Sequence, residues 1–114
     1  MPPPKSFCLR YKEHYIDIKE EWREFEEKYW KKYPERKYCH ACGEKKRVEL
    51  HHIIPRHVDP SKIFDEDNLI PLCRCCHFRI GHLCNWEDYN PNVKEDAEWL
   101  YRKIKHRSAL QAVD

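Results

Sequence analysis

The chain has 114 residues, 40% of them hydrophobic and 37% charged, so it is sized for one domain and short of the aliphatic runs that would fill a large core. Its net charge of +2 excludes both a polybasic nucleic-acid tail and an acidic solvating chain, and no apolar run nears the ~20 residues that span a membrane. Seven cysteines are an odd number for a disulfide scaffold, and no signal peptide is visible in residues 1–15. The expectation is a soluble protein of a reducing, cytoplasmic compartment whose thiolates are held by metal.

Residues 1–12 open with three prolines at Pro2, Pro3 and Pro4 and read as a flexible leader. Over residues 13–34, Ile18, Trp22, Phe25 and Tyr29 fall at helical spacing on one face, and Pro34 ends the run. Acidic residues dominate its first part, whereas Lys28, Lys31 and Lys32 fill the last turn, an order that suits the helix dipole. The reading is a helix packed on the core with a solvated outer face, since acidic side chains lining a groove would repel phosphate.

Cys39-His40-Ala41-Cys42-Gly43 has the form of a zinc knuckle: two thiolates reach one ion from a tight turn, and Gly43 permits a positive φ. A second CxxC, Cys73 and Cys76, follows with 30 residues between the pairs. Four thiolates close a tetrahedron, which is the structural type of zinc site. Cys75 offers a competing choice, but spacing favours Cys73 with Cys76. Cys8 and Cys84 have no mate at metal spacing and read as small buried residues.

Between the pairs, Arg47 to Ile54 reads as a strand and Leu69 to Leu72 as a shorter one, with a loop rich in Asp and Pro between them. Arg74 to about Leu83 is expected to be a short helix carrying His77 toward the end of the first strand. Residues 92–107 carry a helical stripe of Val93, Ala97, Leu100 and Ile104, with Trp86 and Tyr89 covering the junction before it. The late cluster of Arg102, Lys103, Lys105, His106 and Arg107 reads as a solvated helix end. Residues 108–114 are a tail.

Glu49-Leu50-His51-His52-Ile53-Ile54-Pro55, then Asn68, then the second cysteine pair followed at once by His77, resembles the HNH endonuclease family over Cys39 to His82. The segment Cys76 to His82, with Asn85-Trp86 behind it, is similar to small HNH proteins of bacteria and their phages. The resemblance implies an α+β fold: a small ββα-metal core over residues 39–84 stapled by the four-cysteine zinc, flanked by N- and C-terminal helices in a single nuclease domain over 13–107. It implies His52 as general base and His51 and His77 as ligands of a catalytic divalent ion. Asn68 would organise the loop and orient the base. His82 is a candidate third ligand: five residues past His77 is not the usual helical face, but Gly81 could distort the turn. Arg79 would contact a phosphate of the substrate.

The resemblance also implies hydrolysis of DNA phosphodiester bonds, with positive charge stabilising the transition state and the leaving oxygen. Many relatives carry a carboxylate where this chain has His51, so the catalytic ion could be magnesium, manganese, nickel or zinc, with imidazole least suited to magnesium. Nothing in the motif reads a 2′ hydroxyl, so RNA stays open as a substrate. The competing class is a zinc-stabilised nucleic-acid or protein-binding module that does not cleave, which would need no base at His52. A lone histidine is more often a surface or core residue than a ligand, which is the reading for His14, His40, His57 and His106.

Overall fold

A computed structural model describes the backbone over residues 5–112 and the side chains of residues 18–108. Residues 1–4 of the expected leader, residues 113–114 of the expected tail, and the side chains of Cys8 and His14 lie outside the described residues. The chain divides into two compact units, residues 1–33 and 34–114.

The first unit is α1, Lys5–Lys32. It starts earlier than the helix expected over 13–34, because after Pro4 no proline or glycine interrupts the chain until Pro34. Trp22, Phe25, Tyr29 and Tyr33 form a ladder of rings along it, with centroids 5.4, 6.4 and 5.0 Å apart in that order. Lys31 and Lys32 close its last turn.

The second unit opens with a 3₁₀ turn at Pro34–Arg36 and the knuckle. In the knuckle the Gly43 amide donates to the Cys39 carbonyl at 2.9 Å, and Gly43 itself sits at φ 83°. Strands β1 (Val48–His52) and β2 (Leu69–Cys73) pair antiparallel, with Val48 opposite Cys73 and His52 opposite Leu69. β1 is shorter than the expected Arg47 to Ile54 for two local reasons. Arg47 stands at φ 55°, outside the strand region, and the Ile54 amide leaves the ladder to bind the side chain of Asn68.

The loop between the strands is pinned by two 3₁₀ turns, Pro60–Lys62 capped by Asp59 and Glu66–Asn68 capped by Asp65. After β2 comes α2, a single turn over Arg74–Cys76, which widens into a π-helical turn over His77–Gly81. Its mark is the His82 amide donating to the His77 carbonyl, five residues back, at 3.1 Å. The helix α3, Val93–Ala112, completes the unit and runs past the expected end at residue 107.

The core is built on the cysteines. Cys39, Ala41, Ile70, Leu72, Cys73, Cys76, Val93 and Ala97 form one buried cluster, so β2, the knuckle and the first turns of α3 close around the thiols. This is the small α+β, ββα architecture expected from the motif. Cys84 departs from expectation: it is exposed, because Leu83 and Cys84 at φ 53° and 63° turn the chain outward after the π turn. No helix among the described residues is long and apolar enough to cross a membrane.

Candidate metal centre and active site

The four expected zinc ligands Cys39, Cys42, Cys73 and Cys76 lie together, every pair of sulfurs within 4.8 Å. Cys75 is exposed and outside the cluster, so the spacing argument for Cys73 with Cys76 matches the geometry. The amides of Cys42 and Cys76 approach the sulfurs of Cys39 and Cys73 at 3.4 Å each, an arrangement that favours thiolates. Burial opposes ionisation of Cys39, yet backbone groups of Cys42, Cys73 and Ala41 outweigh it and hold this thiol below its ordinary range. Burial and the neighbouring thiolate charge push Cys42 up to about 11 and Cys76 higher still. Four sulfurs cannot all ionise beside one another without a cation, and a zinc ion fits this donor set.

A second cluster gathers His51, His77 and His82, whose ring nitrogens also lie within 4.8 Å of one another. The rings form a near-equilateral triangle, with centroids 4.8, 5.1 and 4.9 Å apart. The π turn makes this possible. In an α-helix residues five apart diverge, whereas an i to i+5 turn brings His77 and His82 onto one face, with their Nε2 atoms 3.2 Å apart. His51 enters from β1 and is 2% exposed. Gly81 lets it in: a Cβ there would stand 2.9 Å from His51 Cε1.

The outer nitrogens are engaged in ways that aim the inner ones. His82 Nδ1 lies 2.8 Å from the Asp88 carbonyl, which can only accept, so Nδ1 carries the proton and Nε2 presents a lone pair to the centre. His77 Nδ1 lies 3.4 Å from a carboxylate oxygen of Glu49, which sets the same tautomer. Glu49 and His51 share one face of β1 by the two-residue period of a strand, so the carboxylate and the third imidazole reach His77 from the same side. His51 Nε2 is buried with no hydrogen-bond partner. Burial first, then the neighbouring imidazoles of His77, His82 and His52, push His51 down to about 3, so it stays neutral at physiological pH. Burial also lowers His77, against the opposing pull of Glu49. Converging lone pairs and an orphaned buried nitrogen fit a divalent cation, and three imidazoles without a carboxylate suit zinc or nickel better than magnesium.

His52 is the last residue of β1, where the ladder ends, and its Nε2 sits 3.0 Å from the Ile63 carbonyl. Buried Asn68 clamps the same loop: Oδ1 accepts from the Ile54 amide at 2.9 Å, and Nδ2 donates to the carbonyls of Ile54 and Lys62 at 3.0 and 3.2 Å. Its side-chain hydrogen bonds therefore fix the segment that carries Ile63 rather than the three-histidine cluster. Burial lowers His52, with the Ile63 carbonyl pulling the other way and Arg56 adding to the lowering. Arg79 is exposed on the π turn. His57 and His106 are exposed and His40 half-buried, and all three lie outside both clusters. Glu49 and Asp88 escaped the sequence reading; the alternation with His51 was the available signal for Glu49, whereas Asp88 acts through its backbone and leaves none.

Two-strand sheet, turn, four clustered thiols and three converging imidazoles together define a small ββα module with two groups of side chains whose chemistry fits metal ions. Residues 38–83, less than half of the chain, match the family model described as HNH endonuclease. No curated protein and no solved structure matches.

Proposed function

We propose that the protein is a metal-dependent endonuclease that hydrolyses DNA phosphodiester bonds, with His52 as its general base. The observation that carries this reading is the unpartnered, buried Nε2 of His51 facing two imidazoles whose lone pairs are already aimed at the same point. A binding module stapled by its cysteines has no use for such a centre. A divalent ion held by His51, His77 and His82 would supply positive charge to the transition state and the leaving 3′ oxygen.

The chain's own groups supply the rest. The Ile63 carbonyl can only accept, so His52 carries its proton at Nε2 and its lone pair at Nδ1, and burial lowers its proton affinity. Asn68 keeps Ile63 in place and so orients the base. Arg79, exposed beside the histidine cluster in sequence and free of ion pairs among the described residues, would hold a flanking phosphate. RNA is the alternative polymer, and a non-cleaving module the alternative class.

The test is plasmid and oligonucleotide cleavage by the purified protein with magnesium, manganese, nickel and zinc in turn. His52→Ala should keep zinc content and DNA affinity while losing roughly 10²- to 10⁴-fold in cleavage rate. Wild-type protein inert on single- and double-stranded DNA with every ion would favour the binding module, and full activity in His52→Ala would remove His52 from the role of base.

A further inference from the structure

Beside the three-histidine cluster, on the surface where the knuckle meets α2, lies a groove of about 630 Å³ that the reading above leaves unused. Its walls include the cations Lys46, Arg47 and Arg74 and the rings of Phe78 and Trp86. None of the three cations has a carboxylate partner among the described residues. The acidic residue of the wall, Glu44, accepts from the backbone amides of Lys45 and Lys46, at 3.0 and 3.1 Å.

Trp86 joins this groove to the metal centre. Its ring packs edge-on against His77 at 5.3 Å and lies 4.9 Å from His82 and 5.1 Å from Phe78, yet the residue is 55% exposed. One side of the indole is thus fixed by three rings while the other faces open space lined with positive charge. Fixed aromatic surface beside unpaired cations is the combination that binds single-stranded nucleic acid, bases on the ring and phosphates on the cations. A duplex cannot use it, because its base faces are occupied by stacking.

We propose that the groove takes an unpaired stretch of the substrate strand, with a base stacked on Trp86 and its neighbouring phosphates against Arg47, Arg74 and Lys46. The volume falls within the range of ordinary ligand pockets, roughly 300–1,000 Å³, large enough for a nucleotide. Because Trp86 touches two of the three imidazoles, a base seated there sets its own strand next to the centre. The inference rests on the nuclease reading for its consequence, a preference for single-stranded or locally opened DNA, but its binding claim stands apart from cleavage.

The experiment measures binding by fluorescence anisotropy in the zinc-loaded 114-residue His52→Ala protein. Three probes of equal length are compared: oligothymidine, the same backbone made abasic throughout, and a duplex. Oligothymidine should bind about ten- to hundredfold more tightly than the abasic strand, the usual worth of a base on an aromatic ring. Trp86→Ala should abolish that difference and Trp86→Phe should largely restore it. Arg47→Ala and Arg74→Ala should weaken binding of both strands and each lower the salt slope by about one unit. Equal affinity for the base-bearing and abasic strands would overturn the proposal without recourse to any groove variant, and so would tighter binding of duplex with no dependence on Trp86. Base-dependent binding by a wild-type protein that cuts nothing would instead keep the groove and remove the nuclease reading.

Discussion

Replacing Gly81 by alanine tests whether the three imidazoles form a metal centre whose geometry depends on the π turn. Gly81 lies outside the left-handed region, so alanine meets no backbone penalty there, and by restricting the unfolded chain it would ordinarily stabilise by about 0.4–1 kcal/mol. Against this stands one contact. The new methyl would be 2.9 Å from His51 Cε1 and 3.1 Å from both ring nitrogens, so the ring must retreat by roughly 0.5 Å to reach ordinary carbon contact distance. Overpacking of this kind costs about 1–3 kcal/mol, leaving a net loss between about nothing and 2.5 kcal/mol. The effect on the centre should be larger, because ligand positions tolerate only about 0.2 Å. If affinity for the catalytic ion falls about a hundredfold, metal held at 100 times the wild-type Kd stabilises the wild type by about 2.7 kcal/mol and the variant by only about 0.4 kcal/mol. Thermal melts with and without added ion, plus chelator competition, read both numbers. Gly43→Ala is the control. At φ 83° it should cost about 1–2 kcal/mol in backbone strain, while Tyr101 Cε2 at 3.8 Å leaves room for the methyl and affinity at the histidines stays unchanged. A Gly81→Ala protein with a raised melting temperature and wild-type metal affinity would refute the reasoning.

Removing the zinc staple, by Cys42→Ser or by exhaustive chelation, should unfold the second unit, since metal binding there is folding energy; retained ellipticity and a cooperative melt would argue otherwise. Asn68→Ala should strand the Ile54 amide and cost about 1–3 kcal/mol in denaturant unfolding, with a fall in cleavage rate at unchanged metal affinity. Glu49→Gln should weaken binding of the catalytic ion by up to about tenfold to a hundredfold while leaving the cysteine-bound zinc in place, as chelator titration can distinguish. Asp59, hydrogen-bonded to Ser61, has a lowered carboxyl pKa; its stabilising contribution is therefore present above the ordinary carboxylate range and disappears as pH falls through the folded value. The melting temperatures of wild type and Asp59→Ala should accordingly differ at neutral pH and converge in acid.

Much of the site was legible because metal chemistry constrains sequence spacing more tightly than packing does. Two CxxC pairs separated by 30 residues identify four thiols that come together, whereas of the histidine pair before Asn68 only His51 joins the histidine cluster. His82 was legible only in part. A spacing of five does not fit an α-helix, and the wider turn that admits it is held at its two ends by tertiary contacts, which the local spacing does not encode. Strand limits failed at Arg47 and Ile54 because one adopts a positive φ and the other bonds a side chain, events that hydrophobic alternation does not encode. Trp86 reads as junction cover in the sequence, whereas its ring divides between the imidazoles and open solvent.

The π turn explains why the two clusters are adjacent. A turn wider than α is intrinsically poor and persists only where its ends are held. Cys76 immediately precedes His77, and its amide approaches the sulfur of Cys73, so the four-thiol staple fixes the entry to the turn. Asn90 fixes the exit: buried to 5% exposure, it donates from Nδ2 to the Ile80 carbonyl at 3.1 Å and from its amide to the Gly81 carbonyl at 2.9 Å. The same Nδ2 lies 2.7 Å from Asp96 on α3, which ties the exit to the helix that closes the core. The spacing of His77 from His82 is therefore set by groups that touch neither imidazole. In a domain too small to hold a strained turn by apolar burial alone, the four clustered thiols at one end and a fully bonded asparagine at the other do that work.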